Sequence, residues 1–237
     1  MKILGIESSS LTASAAIWED GILTAEYTVN HKKTHSQTLL PMIDAICGMT
    51  EQNVGELDAV AVAAGPGSFT GLRIGSATAK GLGLALDIPL IPVPTLDAMA
   101  YQCFDAASLI CPIMDARRNQ VYNGLYRWEN GRFEVKVPSR ALDMGEVIEE
   151  INRLGSPVIF LGDGVPVQSE AIRALVRVPY YLAPATMNRQ RAGAVASLGA
   201  ERYAQGQFQK AEEHAPEYLR PSQAERVREE QKSEKAE

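Results

Sequence analysis

The chain has 237 residues, 46% of them apolar and 22% charged, with a formal net charge of −6, which excludes a broad basic surface for unaided nucleic-acid binding because phosphate neutralisation needs clustered Lys and Arg. Its three cysteines, Cys47, Cys103 and Cys111, are widely spaced and form no Cys-x-x-Cys, which excludes a zinc knuckle and a disulfide framework and reads as buried thiols in a reducing compartment. No window holds the ~18 apolar residues of a membrane span, and the opening Met1-Lys2-Ile3-Leu4-Gly5-Ile6-Glu7 meets charge too soon for a leader, so a cytoplasmic protein is expected.

Lys2 to Glu7 predicts a buried strand, Ser8-Ser9-Ser10 a polar turn and Thr12 to Trp18 a second strand. Glu19-Asp20-Gly21 is a hairpin signal, and Ile22 to Val29 predicts a third strand. A first helix is predicted from His35 to Met49, with Leu39, Ile43 and Ile46 at helical spacing, Thr34 or Ser36 as cap and Pro41 kinking its early turns. Asp58 to Ala64 predicts a fourth strand, Thr70 to Leu86 a second helix, Leu90 to Val93 a fifth strand and Asp97 to Phe104 a short helix. A second pass follows: strands at Leu109–Asp115, Gln120–Trp128 and Phe133–Val137, then a helix at Met144–Leu154. A strand at Val158–Gly162, a helix at Val165–Val176, a strand at Tyr180–Ala183 and a helix at Arg191–Gln205 complete it. The order βββαβα thus appears twice, which predicts an N-terminal lobe over 1–105 and a C-terminal lobe over 106–223 whose last segment is free to pack back on the first. The charged stretch 224–237 has one large apolar residue and predicts a disordered tail.

Between the fourth strand and the second helix lies Gly65-Pro66-Gly67-Ser68-Phe69-Thr70-Gly71-Leu72-Arg73-Ile74-Gly75. A strand, a glycine turn and a helix present backbone N–H groups at a helix N-terminus. Yet no Lys-Ser or Lys-Thr follows the last glycine, and three residues rather than two separate Gly67 from Gly71, so neither standard phosphate-binding fingerprint is met. Gly71, Gly75, Ala79 and Gly83 fall four apart and form one stripe of small side chains. Glycine inside a helix costs about 1 kcal/mol against alanine, so such a stripe implies compensating close contact. We expect that contact to be intermolecular, with a bulky residue at Gly75 or Ala79 blocking assembly while the monomer stays folded.

Other chemistry is sparse. His31 and His35 are four apart, but two lysines lie between them, and the pair reads as a solvated helix entrance. No Gly-x-Ser-x-Gly elbow and no His-Glu-x-x-His occur. Arg117 and Arg118 fall where the second lobe's first strand meets its hairpin and could reach an anionic group on a partner. Ser8, Ser9 and Ser10 could contact a nucleotide phosphate or satisfy their own tight turn.

The duplicated plan is similar to the α/β fold of actin, sugar kinases and the 70-kDa heat-shock proteins (the ASKHA class), which supports no activity by itself. More specifically, Ile3 to Ser9, Gly65 to Gly75 and Ala79-Lys80-Gly81-Leu82 resemble the paired signature of the tRNA threonylcarbamoyladenosine family. That family has two paralogous branches: the metal-bearing catalytic subunit TsaD and a bacterial partner subunit. Asp115-Ala116-Arg117-Arg118-Asn119-Gln120-Val121-Tyr122 and Pro216-Glu217-Tyr218-Leu219-Arg220 resemble the partner branch. Two departures from the catalytic branch point the same way: Thr95 and Met99 align with its two metal-binding histidines, and Leu11 stands where it carries an aspartate.

The resemblance implies a scaffold rather than an enzyme: a subunit with no catalytic residues, metal or cofactor of its own, with ATP and a metal held by partner subunits. It implies docking of TsaD, help in engaging the ATPase TsaE, a homodimer in isolation and contact with tRNA only through the complex. The interface it implies comprises Leu39, Ile43, Ile46, Gly71, Gly75, Ala79 and Gly83. The alternatives are an autonomous ATPase or phosphotransferase of the actin-like class, or a metallopeptidase-type protein, for which no ligand set is found.

Overall fold

The structure, a computed structural model, describes residues 1–117 and 120–220. The first sheet is built by β1 (Lys2–Glu7), β2 (Thr12–Glu19), β3 (Ile22–Asn30), β4 (Ala59–Gly65) and β5 (Leu90–Pro94), in the order β3-β2-β1-β4-β5. The second is built by β6 (Leu109–Asp115), β7 (Gln120–Glu129), β8 (Arg132–Asp143), β9 (Val158–Leu161) and β10 (Tyr180–Leu182), in the order β10-β9-β6-β7-β8. Read from the other edge this is the same order. In both sheets the first three strands pair antiparallel and the last two add in parallel.

Every residue of β1 and β4 is buried, as strands covered on both faces must be. Alternation sends Leu4, Ile6, Val60 and Val62 to one face, against α1 (His35–Thr50) and α2 (Phe69–Leu86). Ile3, Ala59 and Ala61 go to the other face, against Val195, Ala196 and Leu198 of α7 (Ala192–Ala204). Two glycines let α7 lie close: a side chain at Gly5 would clash with the Ala192 carbonyl, and one at Gly199 with Ala61.

The second sheet packs Cys111, Ile113 and Leu125 on α4 (Met144–Leu154) and α6 (Ser169–Leu175), with the single turn α5 (Gly164–Val167) preceding α6. Its other face packs Ile110, Tyr126 and Leu161 on Leu96, Met99 and Ala100 of α3 (Thr95–Tyr101). Each lobe therefore lends a helix to the other: α3 closes the second sheet and α7 the first. The linear boundary at 105/106 separates the sheets but not the helices that cover them.

Three predicted elements differ in form. The helix expected over Val165–Val176 is split at Gln168, whose backbone leaves helical geometry at φ −99° and ψ 12°. The strand expected to end at Val137 runs on to Asp143, because β8 is an edge strand and tolerates Pro138. The short helix starts at Thr95, directly after β5, not at Asp97. The 224–237 tail lies outside the described residues.

Candidate functional site

Two concave surfaces meet at α2. The first is a cleft of about 590 Å³ between the lobes. The first lobe supplies Ser9, Ser10 and Leu11 from the β1–β2 turn and Gly67 to Thr70 from the glycine turn. The second supplies Met114 to Arg117, Tyr122 and Asp163, and the C-terminal segment Glu217–Arg220 forms a further wall.

The two first-lobe turns are bonded to each other. Ser68 N donates to the Ser9 carbonyl at 2.6 Å, and Ser8 Oγ donates to the Gly71 carbonyl at 2.9 Å. A side chain at Gly67 would strike the Ser9 carbonyl, and one at Gly71 the Ser8 carbonyl. Ser68 caps α2, its Oγ accepting from Gly71 N at 3.3 Å. Ser8 is thus turned inward onto α2, its hydroxyl bonded between the two turns, while Ser9 and Ser10 line the cleft. Ser10 Oγ donates to Gln190 Oε1 at 3.0 Å, and the Ser10 carbonyl accepts from His35 Nε2 at 2.7 Å. His35 is therefore buried and bonded, not part of a solvated helix entrance, while His31 is exposed.

Asp163 lines the cleft, and Glu7 ends β1 just before the turn that does. Glu7 is fully buried, with Oε1 accepting from Ser9 N at 2.6 Å and Oε2 unpaired. Burial pushes its carboxyl up to about 7, opposed by the Ser9 and Ser8 hydrogen bonds and reinforced by the Asp163 charge. Burial likewise holds Asp163 above the ordinary aspartate value. Arg117 stands at the rim, its side chain 86% exposed and 3.7 Å from Asp115, an ion pair of little energetic weight. Arg118 lies outside the described residues. Thr95 and Met99 are fully buried, and Met99 packs in the second-lobe core. A hydroxyl and a thioether there do not make a site for a hard or borderline metal. Among the described residues no three His, Cys, Asp or Glu side chains come together as a ligand set.

The second surface is a groove of about 460 Å³ between α1 and α2, lined by His35, Ser36, Leu39, Leu40, Ile74, Ala77, Thr78, Gly81 and Leu82. This corrects the expected interface. Leu39, Ile43 and Ile46 are core residues at 1%, 4% and 5% exposure, though Leu39 also forms part of the groove floor. Gly71, Gly75, Ala79 and Gly83 are all buried within the first lobe. The stripe exists, but its close contact is with other parts of the same chain, backbone and side chain alike. A side chain at Gly75 would meet Ser8 Oγ, and one at Gly83 would meet Ala211, Leu90 and the Ile88 carbonyl. The residues that do face outward are Leu40, Ala77, Gly81 and Leu84. Their signal is a second row on α2, at 74, 77, 78, 81 and 84, which the glycines of the first row outshone.

Two lobes of identical strand order, facing each other across a cleft walled by a β-hairpin turn and a glycine turn, define the α/β actin-like class, ASKHA. The model of the tRNA N6-adenosine threonylcarbamoyltransferase family, TsaD, matches residues 23–227. The tRNA threonylcarbamoyladenosine biosynthesis protein TsaB of Bacillus subtilis is 34% identical over 227 residues, covering 95% of this chain and 96% of that protein. Its Escherichia coli namesake is 34% identical over 167 residues, covering 69% and 72%. The solved structure of YeaZ from Pseudomonas aeruginosa superposes with a TM-score of 0.79 at 25% identity, covering 92% of this chain and 99% of that one. The chain belongs to the tRNA threonylcarbamoyladenosine biosynthesis family and, within it, to the TsaB proteins. No helix among the described residues is long and apolar enough to cross a membrane.

Proposed function

We propose that this chain is a non-catalytic scaffold subunit for threonylcarbamoyl transfer to the adenosine beside the tRNA anticodon. It docks the metal-bearing paralogue TsaD through the outer face of α1 and α2 and helps the ATPase TsaE engage. ATP and the metal belong to those partners, and tRNA is reached through the complex.

The observation that carries this reading is the groove. Gly81 opens onto it with no atom of the described residues within 4 Å of where a side chain would begin, so the packing of those residues gives no reason for a glycine there. Mid-helix glycine costs about 1 kcal/mol against alanine. The cost is recovered if a second helix lies across Gly81, Ala77 and Ile74 at close range. The TsaD family model spans most of this chain, so TsaD carries a counterpart of the same helix pair. Related faces pair about a pseudo-two-fold axis, and the identical face of a second copy pairs about a true one. One surface thus serves TsaD in the complex and a homodimer in isolation. The cleft supports the absence of autonomous turnover in that its two first-lobe turns are bonded to each other.

The test is Ala77→Arg, which places a charge on the exposed face without entering the core. We expect an unchanged melting temperature, a monomer by light scattering and no co-elution with TsaD. Intact homodimer and intact TsaD complex with both Ala77→Arg and Leu40→Asp would overturn the docking role.

A further inference from the structure

After α7 the chain turns back along the first lobe. Gln209 and Leu90 exchange backbone hydrogen bonds, each 2.9 Å, which lays the segment on the edge of β5. Lys80 Nζ on α2 donates to the carbonyls of Glu212 and His214, both at 3.0 Å. Glu217 N then donates to the Ala64 carbonyl at 2.7 Å. The Glu217 carbonyl sits so close to Gly65, at φ +124°, that no side chain fits there. Tyr218 packs against Phe69 with ring centres 4.7 Å apart and planes tilted by 34°. Arg73 lies 3.9 Å over the Phe69 ring and donates through Nε to Tyr218 Oη at 3.1 Å.

At Arg220 the segment leaves the first lobe. Its Nη1 donates to the Ala116 carbonyl, at 2.7 Å, in the loop that follows β6. Among the described residues the attachment is lopsided: several bonds and a tilted ring contact fix the segment to the first lobe, and the charged hydrogen bond of Arg220 fixes it to the second. The segment also stands between two spaces. Glu217 and Leu219 line the 590 Å³ cleft on one side. On the other they line a pocket of about 200 Å³ with Gly65, Pro66, Pro94, Asp97, Val135, Pro138 and Ser139.

We propose that residues 215–220 are an inter-lobe latch, hinged on the first lobe through Tyr218 and caught on the second by Arg220, which divides the space between the lobes and sets how far they part. Releasing Arg220 loosens the segment's hold on the second lobe, so that the cleft widens as far as the packing of α3 and α7 between the lobes allows, and joins the front cleft to the back pocket. Such hinge opening needs only a few residues to change conformation. The latch requires no partner and stands apart from the docking role.

The test measures the gap directly. Nitroxide labels at Thr70→Cys and Arg117→Cys, exposed positions on opposite lips of the cleft, report its width by electron–electron double resonance. The native Cys47, Cys103 and Cys111 are buried and stay unlabelled, and dilution with unlabelled chain removes signals between molecules. We expect one narrow distribution for the latched chain and a longer, broader one for Arg220→Ala and Arg220→Gln. Tyr218→Phe keeps the ring contact on the hinge side, so its distribution is expected to stay at the latched distance. An unchanged distribution in both Arg220 variants would overturn the latch. So would unfolding of both, which would make Arg220 a folding residue rather than a catch, and so would a shift in Tyr218→Phe as large as that in Arg220→Ala.

Discussion

On its inner face α2 presents Gly71, Gly75, Ala79 and Gly83; on its outer face it presents Ile74, Ala77, Thr78 and Gly81. Both rows carry glycine, and both recur at helical spacing. The inner row is accounted for atom by atom: the Ser8 carbonyl and hydroxyl, the Leu90 side chain and the Ile88 carbonyl occupy the space where side chains would go. The outer row has no such account among the described residues, since Gly81 meets none of them. Glycine on one side of a helix is thus a requirement of the monomer's own packing, and on the other side a sign of what the monomer lacks.

The sharpest way to break this comparison is Gly75→Phe. If Gly75 belonged to a docking surface, the monomer would fold and only assembly would suffer. The structure predicts the reverse order of events, because the ring must displace Ser8 and the turn bonded to Gly71. Overpacking of this kind costs about 3 kcal/mol or more. Urea unfolding of the isolated chain should show that loss, and a parent-like midpoint would return Gly75 to the outer surface.

A second effect comes from the strand that leads into the same turn. Burial holds the Glu7 carboxyl at about 7 when folded, against 4.5 for an ordinary glutamate. The folded state therefore holds the proton more tightly than the unfolded state. Stability from this group is full below about 4.5 and is lost as pH rises through about 7, amounting to roughly 3 kcal/mol across that window. Glu7→Gln removes the titration, so its unfolding free energy should vary less between pH 5 and pH 8 than the parent's. Equal slopes would mean that Glu7 is solvated, and that the inner face of α2 rests on a looser turn than described.

Much of the architecture was legible from sequence because its signals are local. The apolar run in Lys2–Glu7, the Glu19-Asp20-Gly21 turn and the spacing in Met144–Leu154 each name an element, and the repeat of βββαβα names the pair of lobes. Which side of α2 faces inward was not legible. Periodicity reports that a stripe exists; only the position of Ser8, 63 residues before Gly71, decides that the stripe is covered. The exchange of α3 and α7 between lobes, the burial of His35 under the Ser10 carbonyl and the reach of Arg220 to Ala116 are long-range facts of the same kind. The break at Gln168 and the extension of β8 depend on neighbours that a linear pattern does not contain.

The smallest effect separates the two faces most finely. Gly81→Ala adds one methyl to an exposed helix position with open space around it. In the isolated chain it should stabilise by about 1 kcal/mol, because alanine loses less backbone entropy in a helix than glycine. If the outer face receives a helix at close range, the same methyl should weaken homodimer and TsaD complex, since the approaching backbone must stand off. Stability and assembly then move in opposite directions for one atom group. The paired measurements are a melting curve and a sedimentation dissociation constant. A variant that gains stability and assembles as tightly as the parent would show that Gly81 is not where a second backbone comes close.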